Sequence, residues 1–115
     1  MALRLSKRFL FSSSFSRDDK VYGYNYTLHL VTDAMSPEDE SALESRVQEG
    51  LIRHVHSRDL TIHVDFLKDV TITDENLLKV FWGILQKEIM PHYLRSLTLE
   101  RDSRTSLTLS EELGK

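Results

Sequence analysis

From Val21 to Asp33, in VYGYNYTLHLVTD, the large apolar and aromatic residues Tyr22, Tyr24, Tyr26, Leu28 and Leu30 fall on every second position. Only a β-strand, whose side chains alternate between two faces, puts all five on one side. A strand with one apolar face must bury it against another layer. The stretch before it follows the same rule, since Leu3, Leu5, Phe9, Phe11 and Phe15 fall mostly on alternate residues. The basic, serine-containing opening MALRLSKRFLFSSSF is therefore expected to be a strand rather than a targeting peptide. The polar stretch Ser16 to Lys20 joins the two as a hairpin.

The period then changes from two to nearly four. Ser36-Pro37-Glu38-Asp39 has a capping serine, a proline suited to the first helical position and an acid at the capping-box position. Leu43, Val47, Leu51 and Val55 form the buried stripe of a helix expected to reach Val55. A mixed connection containing Asp59, Asp65 and Asp69 leads to a second helix start at Thr73-Asp74-Glu75-Asn76. Leu77, Leu78, Val80, Phe81, Ile84, Leu85 and Ile89 give that helix a broad apolar face, and Pro91 ends it. Two short strands, Tyr93 to Glu100 and Thr105 to Ser110, flank a reverse connection at Asp102-Ser103-Arg104, and the terminal Glu111 to Lys115 is expected to fray.

The element order ββααββ predicts an α+β fold: one domain over residues 1–115, with a four-stranded antiparallel sheet and two helices on one face. At 115 residues there is material for one core. Sheet edges left open in so small a domain are commonly covered by other subunits, so a homo-oligomer is expected. The net charge of -3 argues against a dedicated nucleic-acid binder. No apolar run approaches the ~18 residues of a membrane span. The absence of cysteine removes disulfides, thiolate ligands and a cysteine nucleophile, and is compatible with the cytoplasm.

Three strings, in order, carry a resemblance. VHSRDLTIHVDFLKDVTITDEN (residues 55–76) is similar to a family pattern L-D-H-R-x-L, V-x-F-L and T-x-E-N; Leu97 to Glu100, LTLE, is similar to V-x-V-x-E-T; Gly23-Tyr24-Asn25-Tyr26 is similar to G-H-N-Y. Together they resemble the 6-pyruvoyltetrahydropterin synthase and 6-carboxytetrahydropterin synthase family, the tunnelling fold. The resemblance implies a pterin or purine ligand gripped by Glu100, with Thr73 and Glu75 near its edge. It also implies a trimer or dimer of trimers with the pocket between subunits.

The same resemblance implies that the family's three zinc histidines are replaced here by Phe15, Tyr22 and Tyr24, and that its Asp-His pair corresponds to His56-Ser57. Phe offers no donor and a neutral tyrosine hydroxyl is a poor one, so neither zinc nor another cofactor is expected. His29, His54, His56, His63 and His92 show no ligand spacing that would build a different metal site. A ligand-binding pseudoenzyme or altered family member is the leading expectation. The alternatives are a non-enzymatic structural subunit, or a metal-free pterin-modifying enzyme whose weak catalytic candidates are Tyr24 and His56, with His92 a further proton carrier.

Each candidate also has a purely structural role to play. Thr73 is a helix cap, Glu75 favours the positive end of a helix dipole, the tyrosine stripe packs, and Glu100 is a solvated charge on a strand.

Overall fold

The computed structural model describes residues 3–111. Two long strands, β1 (Arg4–Arg17) and β2 (Lys20–Asp33), form the predicted hairpin, in register from Arg4↔Asp33 to Arg17↔Lys20. α1 (Pro37–Val47) starts at Ser36, whose hydroxyl accepts the Asp39 amide at 3.1 Å. It runs through a π-helical turn (Gln48–Ile52) into the short α2 (Arg53–Val55), so the helical path ends where the sequence predicts. The wide π turn brings Gly50 against α3 (Asp74–Glu88). A Cβ at Gly50 would lie 2.6 Å from the Glu88 Cδ, so a side chain there would have to displace Glu88. Leu43, Val47, Leu51 and Val55 are all buried, as are Leu77, Leu78, Phe81, Leu85 and Ile89 of the second helical face.

With a short β3 (Arg58–Asp59), β4 (Leu94–Arg101) and β5 (Thr105–Ser110) complete the sheet, whose order is β3-β1-β2-β4-β5. The fold class is as predicted, but the sheet has five strands rather than four. The extra strand, β3 (Arg58–Asp59), is two residues long and runs parallel to β1 at Ser13 and Ser14. Positive φ at Ser57 turns the chain off α2 and alongside β1. There the Ser57 and Leu60 amides donate to the Ser12 and Ser14 carbonyls, and Ser13 Oγ donates to the Val55 carbonyl. The helices cover one face of the sheet. On it Phe9, Phe11, Tyr26, Leu28, Leu30, Leu97 and Leu99 are buried, while the opposite face carries Ser12, Thr27, Thr98, Ser106 and Thr108.

Both hairpin turns use left-handed residues. Asp18 and Asp19 have φ of 53° and 63°, the signature of a two-residue type I′ turn, although neither is glycine. In the other turn Asp102 and Ser103 have φ of 52° and 58°, and the Arg104 amide donates to the Arg101 carbonyl at 3.1 Å. Aspartate tolerates this region better than serine, and Asp102 Oδ1 is occupied by the Asn25 amide at 2.9 Å. Ser103→Gly is therefore expected to stabilise the fold by about 1 kcal/mol. A urea midpoint that falls in this variant would contradict the assignment of strain.

At the far end of the sheet Arg95 ties three elements together. Its Nη2 donates to Asp33 Oδ2 at 2.8 Å, and its Nη1 to Glu111 Oε1 at 3.0 Å. Glu111 is thus anchored, its amide also donating to the Arg95 carbonyl, whereas the remainder of the predicted frayed tail, 112–115, lies outside the described residues. The hydrogen bond from Arg95 holds the Asp33 carboxyl below the usual carboxylate range. A depressed folded-state value gives a contribution that is complete above the ordinary pKa of about 3.9 and is lost as pH falls through the lower folded value. Arg95→Ala should consequently remove part of the acid-dependent loss of stability below about pH 4. Parallel acid limbs for the variant and the parent would refute this.

Candidate functional site

The turn end of the β1–β2 hairpin brings Phe15, Tyr22 and Tyr24 together, with Phe15 and Tyr24 packed against the edge of the core. Phe15 and Tyr22 are direct cross-strand partners, and Tyr24 follows two residues later on the same face. Their rings pack on one another, with Phe15–Tyr22 centroids at 5.4 Å and Phe15–Tyr24 at 5.9 Å. The aromatic chain continues inward from Tyr24 to Tyr26 (6.1 Å), Phe11 (4.9 Å) and Phe81 (6.2 Å). Tyr26 lies fully in the core, where burial pushes its hydroxyl pKa up and keeps it protonated.

A cleft of about 290 Å³ opens beside these rings. Thr73 and Asp74 at the start of α3 form one wall, and Arg17 and Arg101 close it. The Arg101 guanidinium lies 4.8 Å from the centre of the Tyr24 ring, and its Nε donates to Asp74 Oδ2 at 3.2 Å. Burial opposes the charge on Arg101, but the Asp74 carboxylate and the Tyr24 hydroxyl outweigh it and raise the guanidinium pKa. Arg17 sits 5.3 Å from the Phe15 ring centre and donates to the Ile72 carbonyl. Thr73 Oγ1 accepts the Asn76 amide at 3.1 Å, so Thr73 both caps α3 and lines the cleft.

The other residues singled out in the sequence lie elsewhere. Glu75 is exposed, 3.7 Å from Lys79 one helical turn on, and borders a different groove beside Leu107 and Leu109 of β5. Glu100 alternates with the inward-facing Leu99 and Arg101, so it points to the polar face of the sheet, and neither cavity at the hairpin end is lined by it. Its Oε2 is 3.8 Å from Nε2 of His29, a buried nitrogen with no hydrogen-bond partner. Glu100 and Thr73 therefore do not converge within one chain; the sheet lies between them.

His56 is exposed and its Nδ1 accepts the Ser12 amide at 3.1 Å, while the Ser57 amide donates to the Ser12 carbonyl. Both are directed at β1 rather than at each other. With Arg58 and Asp102, Ser57 borders an open basin of about 440 Å³ on the polar face, floored by Ser12, Ser14 and Gly23. His92 is at the opposite end of the sheet, 3.7 Å from Asp39 and close to Leu94, which pairs with Thr32. At about 3.3 Å per residue along β2, that is roughly 25 Å from Tyr24.

Arg17, Asp74 and Arg101 were not expected at the site. Arg101 was detectable in principle, because it shares the parity of buried Leu97 and Leu99 while carrying a charge.

The donor set does not suit zinc. The Phe15 ring has none, Tyr22 and Tyr24 bring phenol oxygens in place of the imidazole, thiolate or carboxylate that zinc takes, and the adjacent carboxylate, Asp74, is engaged by Arg101. Among the described residues no three His, Asp or Glu side chains converge as a metal site. None of their helices is long and apolar enough to cross a membrane.

A sheet ordered in this way, with both helices on one face and inserted between its two hairpins, defines the tunnelling-fold class. Among solved structures, 6-pyruvoyl tetrahydropterin synthase of Caenorhabditis elegans matches with a TM-score of 0.79, covering 97% of this chain and 99% of that one. The sequence identity is 16%, so the shared property is the fold. No protein-family model matches the chain, and no curated protein does.

Proposed function

We propose that this chain is a 6-pyruvoyltetrahydropterin synthase-like pseudoenzyme, a cytoplasmic protein that binds a pterin or purine without zinc chemistry. The supporting observation is the cleft itself, where aromatic rings, a capped helix start and two guanidiniums surround a space of about 290 Å³. A flat heterocycle entering there meets the ring surfaces of Tyr22 and Tyr24 and the polar rim at Thr73. Stacking of this kind is worth about 1–3 kcal/mol per ring. Glu100, on the other face, takes part as a carboxylate acceptor supplied by a neighbouring copy, and Glu75 as a rim charge at the same junction.

Calorimetric titration of the full chain with pterin and with guanosine, in the presence of EDTA, tests this proposal. Saturable heat is expected, with affinity reduced about tenfold or more by Tyr24→Ala. A folded protein that gives no heat with either ring would sink the proposal. Retained affinity in Tyr24→Ala would move the ligand out of the cleft.

A structural role has one specific observation in its favour. β3 covers β1 only at Ser13 and Ser14, and β5 has no further strand beside it among the described residues, so two sheet edges are open. Edge pairing between copies into a trimer or dimer of trimers would satisfy both. Sedimentation would show the assembly, and assembly without ring binding would leave the structural role standing alone. Metal-free pterin chemistry has less support, because Tyr24, His56 and His92 do not share a site.

A further inference from the structure

We propose that His29 is a positioning residue for Glu100 and couples binding at that carboxylate to a proton: a protonated His29 takes the oxygen that a ring edge would use, and a neutral one leaves it free. This rests on the reading of Glu100 as the acceptor supplied to the ring, and adds the control of that acceptor.

The pair sits on the polar face of the sheet. His29 pairs with Thr98 across β2 and β4, and Glu100 with Thr27, so the two side chains are diagonal neighbours on adjacent strands. His29 Nε2 is shielded from solvent and has no hydrogen-bond partner among the described residues. Glu100 Oε2 lies 3.8 Å from it, and the two side chains are only 25% and 27% exposed. That separation is beyond hydrogen-bond length. It suits two acceptors that face each other, with the ring proton on Nδ1 and a lone pair on Nε2. Both carboxylate oxygens of Glu100 are then free.

A proton on Nε2 reverses the relation. A shielded, charged N–H left without a partner is costly. Glu100 Oε2 is within reach, and closing the gap by less than about 1 Å makes a charge-assisted hydrogen bond. The two parallel acceptors that a pterin or guanine edge needs are then no longer both available. Few other charges compete with this one. Arg8 faces His29 directly from β1, but it is exposed and its repulsion is screened. Asp102, one alternation beyond Glu100 on β4, has Oδ1 engaged by the Asn25 amide. On β5, Ser106 and Thr108 stand opposite Glu100 and Thr98, and Leu10, Thr27 and Ser96 add no charge to the face. Among the described residues no lysine or arginine pairs with Glu100.

Calorimetric titration of the full chain with guanosine in EDTA, from about pH 5.5 to about pH 8, tests the coupling across the range where an ordinary imidazole changes charge. Affinity is expected to rise about fivefold or more between the two ends. Near the middle of the range binding should release a proton, seen as a heat that depends on the ionisation enthalpy of the buffer. His29→Leu should abolish both effects and bind guanosine more tightly than the parent at about pH 5.5, a gain that damage to the fold could not produce. Glu100→Gln should weaken binding and remove the pH dependence. A parent affinity that stays flat, with no proton released, would overturn the role of His29 and leave ring binding intact. So would a rise that persists in His29→Leu. Undiminished binding in Glu100→Gln would overturn the reading of Glu100 as the acceptor, and the present proposal with it. Absence of guanosine binding at every pH would overturn ring binding itself.

Discussion

Substituting histidine for Phe15, Tyr22 and Tyr24 together is expected to create a zinc site at the tip of the β1–β2 hairpin. In a tetrahedral site with zinc–nitrogen bonds of 2.0–2.1 Å, two imidazole ring centres lie about 5 Å apart. The Phe15–Tyr22 and Phe15–Tyr24 centroids, at 5.4 and 5.9 Å, already approach that spacing. All three positions are on adjacent strands of a paired hairpin, so little backbone movement is needed to bring the imidazoles onto one ion. The triple variant should bind one equivalent of zinc with micromolar or better affinity. At a zinc concentration 100-fold above the dissociation constant it should gain about 2.7 kcal/mol of stability. The parent chain, titrated alongside, provides the baseline. A folded triple variant that takes up no more zinc than the parent would show that these positions do not share the geometry the sequence resemblance assigns to them.

Phe81→Ala is expected to cost about 3–5 kcal/mol, the range for emptying a fully buried aromatic site. Phe81 has no exposed surface and reaches from α3, which packs on β4 and β5, to meet Phe11 edge-on at 6.2 Å. Phe11 stacks on Tyr26, and Tyr26 in turn meets Tyr24, so the cavity would loosen the inner end of the chain of rings that reaches the cleft. Small domains have about 5–15 kcal/mol in total, so most of the margin would be gone. Urea denaturation at a fixed protein concentration measures the change, and Phe81→Leu should cost much less. A loss under about 1 kcal/mol for Phe81→Ala would mean that the site collapses freely and that the core is not centred there.

Local chemistry explains what could be read in advance. Ser36 and Thr73 cap helices because their hydroxyls need only a neighbouring amide, and the stripe from Leu43 to Val55 needs only helical periodicity. β3 could not be read, since two residues carry no periodicity and its pairing depends on where Ser57 turns the chain. The π turn at Gln48–Ile52 was equally silent, because it keeps Leu51 and Val55 buried just as an α-helix would. Of the candidate site, the nearness of Phe15, Tyr22 and Tyr24 was legible from strand alternation and the hairpin, and Thr73 lines the same cleft. The resemblance groups Glu100 with Thr73 at a pocket between subunits, while within one chain the alternation Leu97, Leu99, Arg101 puts Glu100 on the other face of the sheet. Arg101 and Asp74 were overlooked because their partnership is tertiary, linking residues 27 positions apart.

The two open edges of the sheet have a consequence for how copies could add to one another. The edge at β1 and the edge at β5 differ in length, sequence and neighbours, so a contact between them is heterologous rather than two-fold. A heterologous contact has only two outcomes: it closes on a whole number of copies or it continues as a filament. Whether such a chain stays soluble would then be decided by rotational closure, set by sheet twist and by the angle at which one edge meets the next, more than by how strongly the edges attract. A substitution that changed this angle by a few degrees, leaving every ring and arginine of the cleft in place, could turn a closed assembly into a fibre.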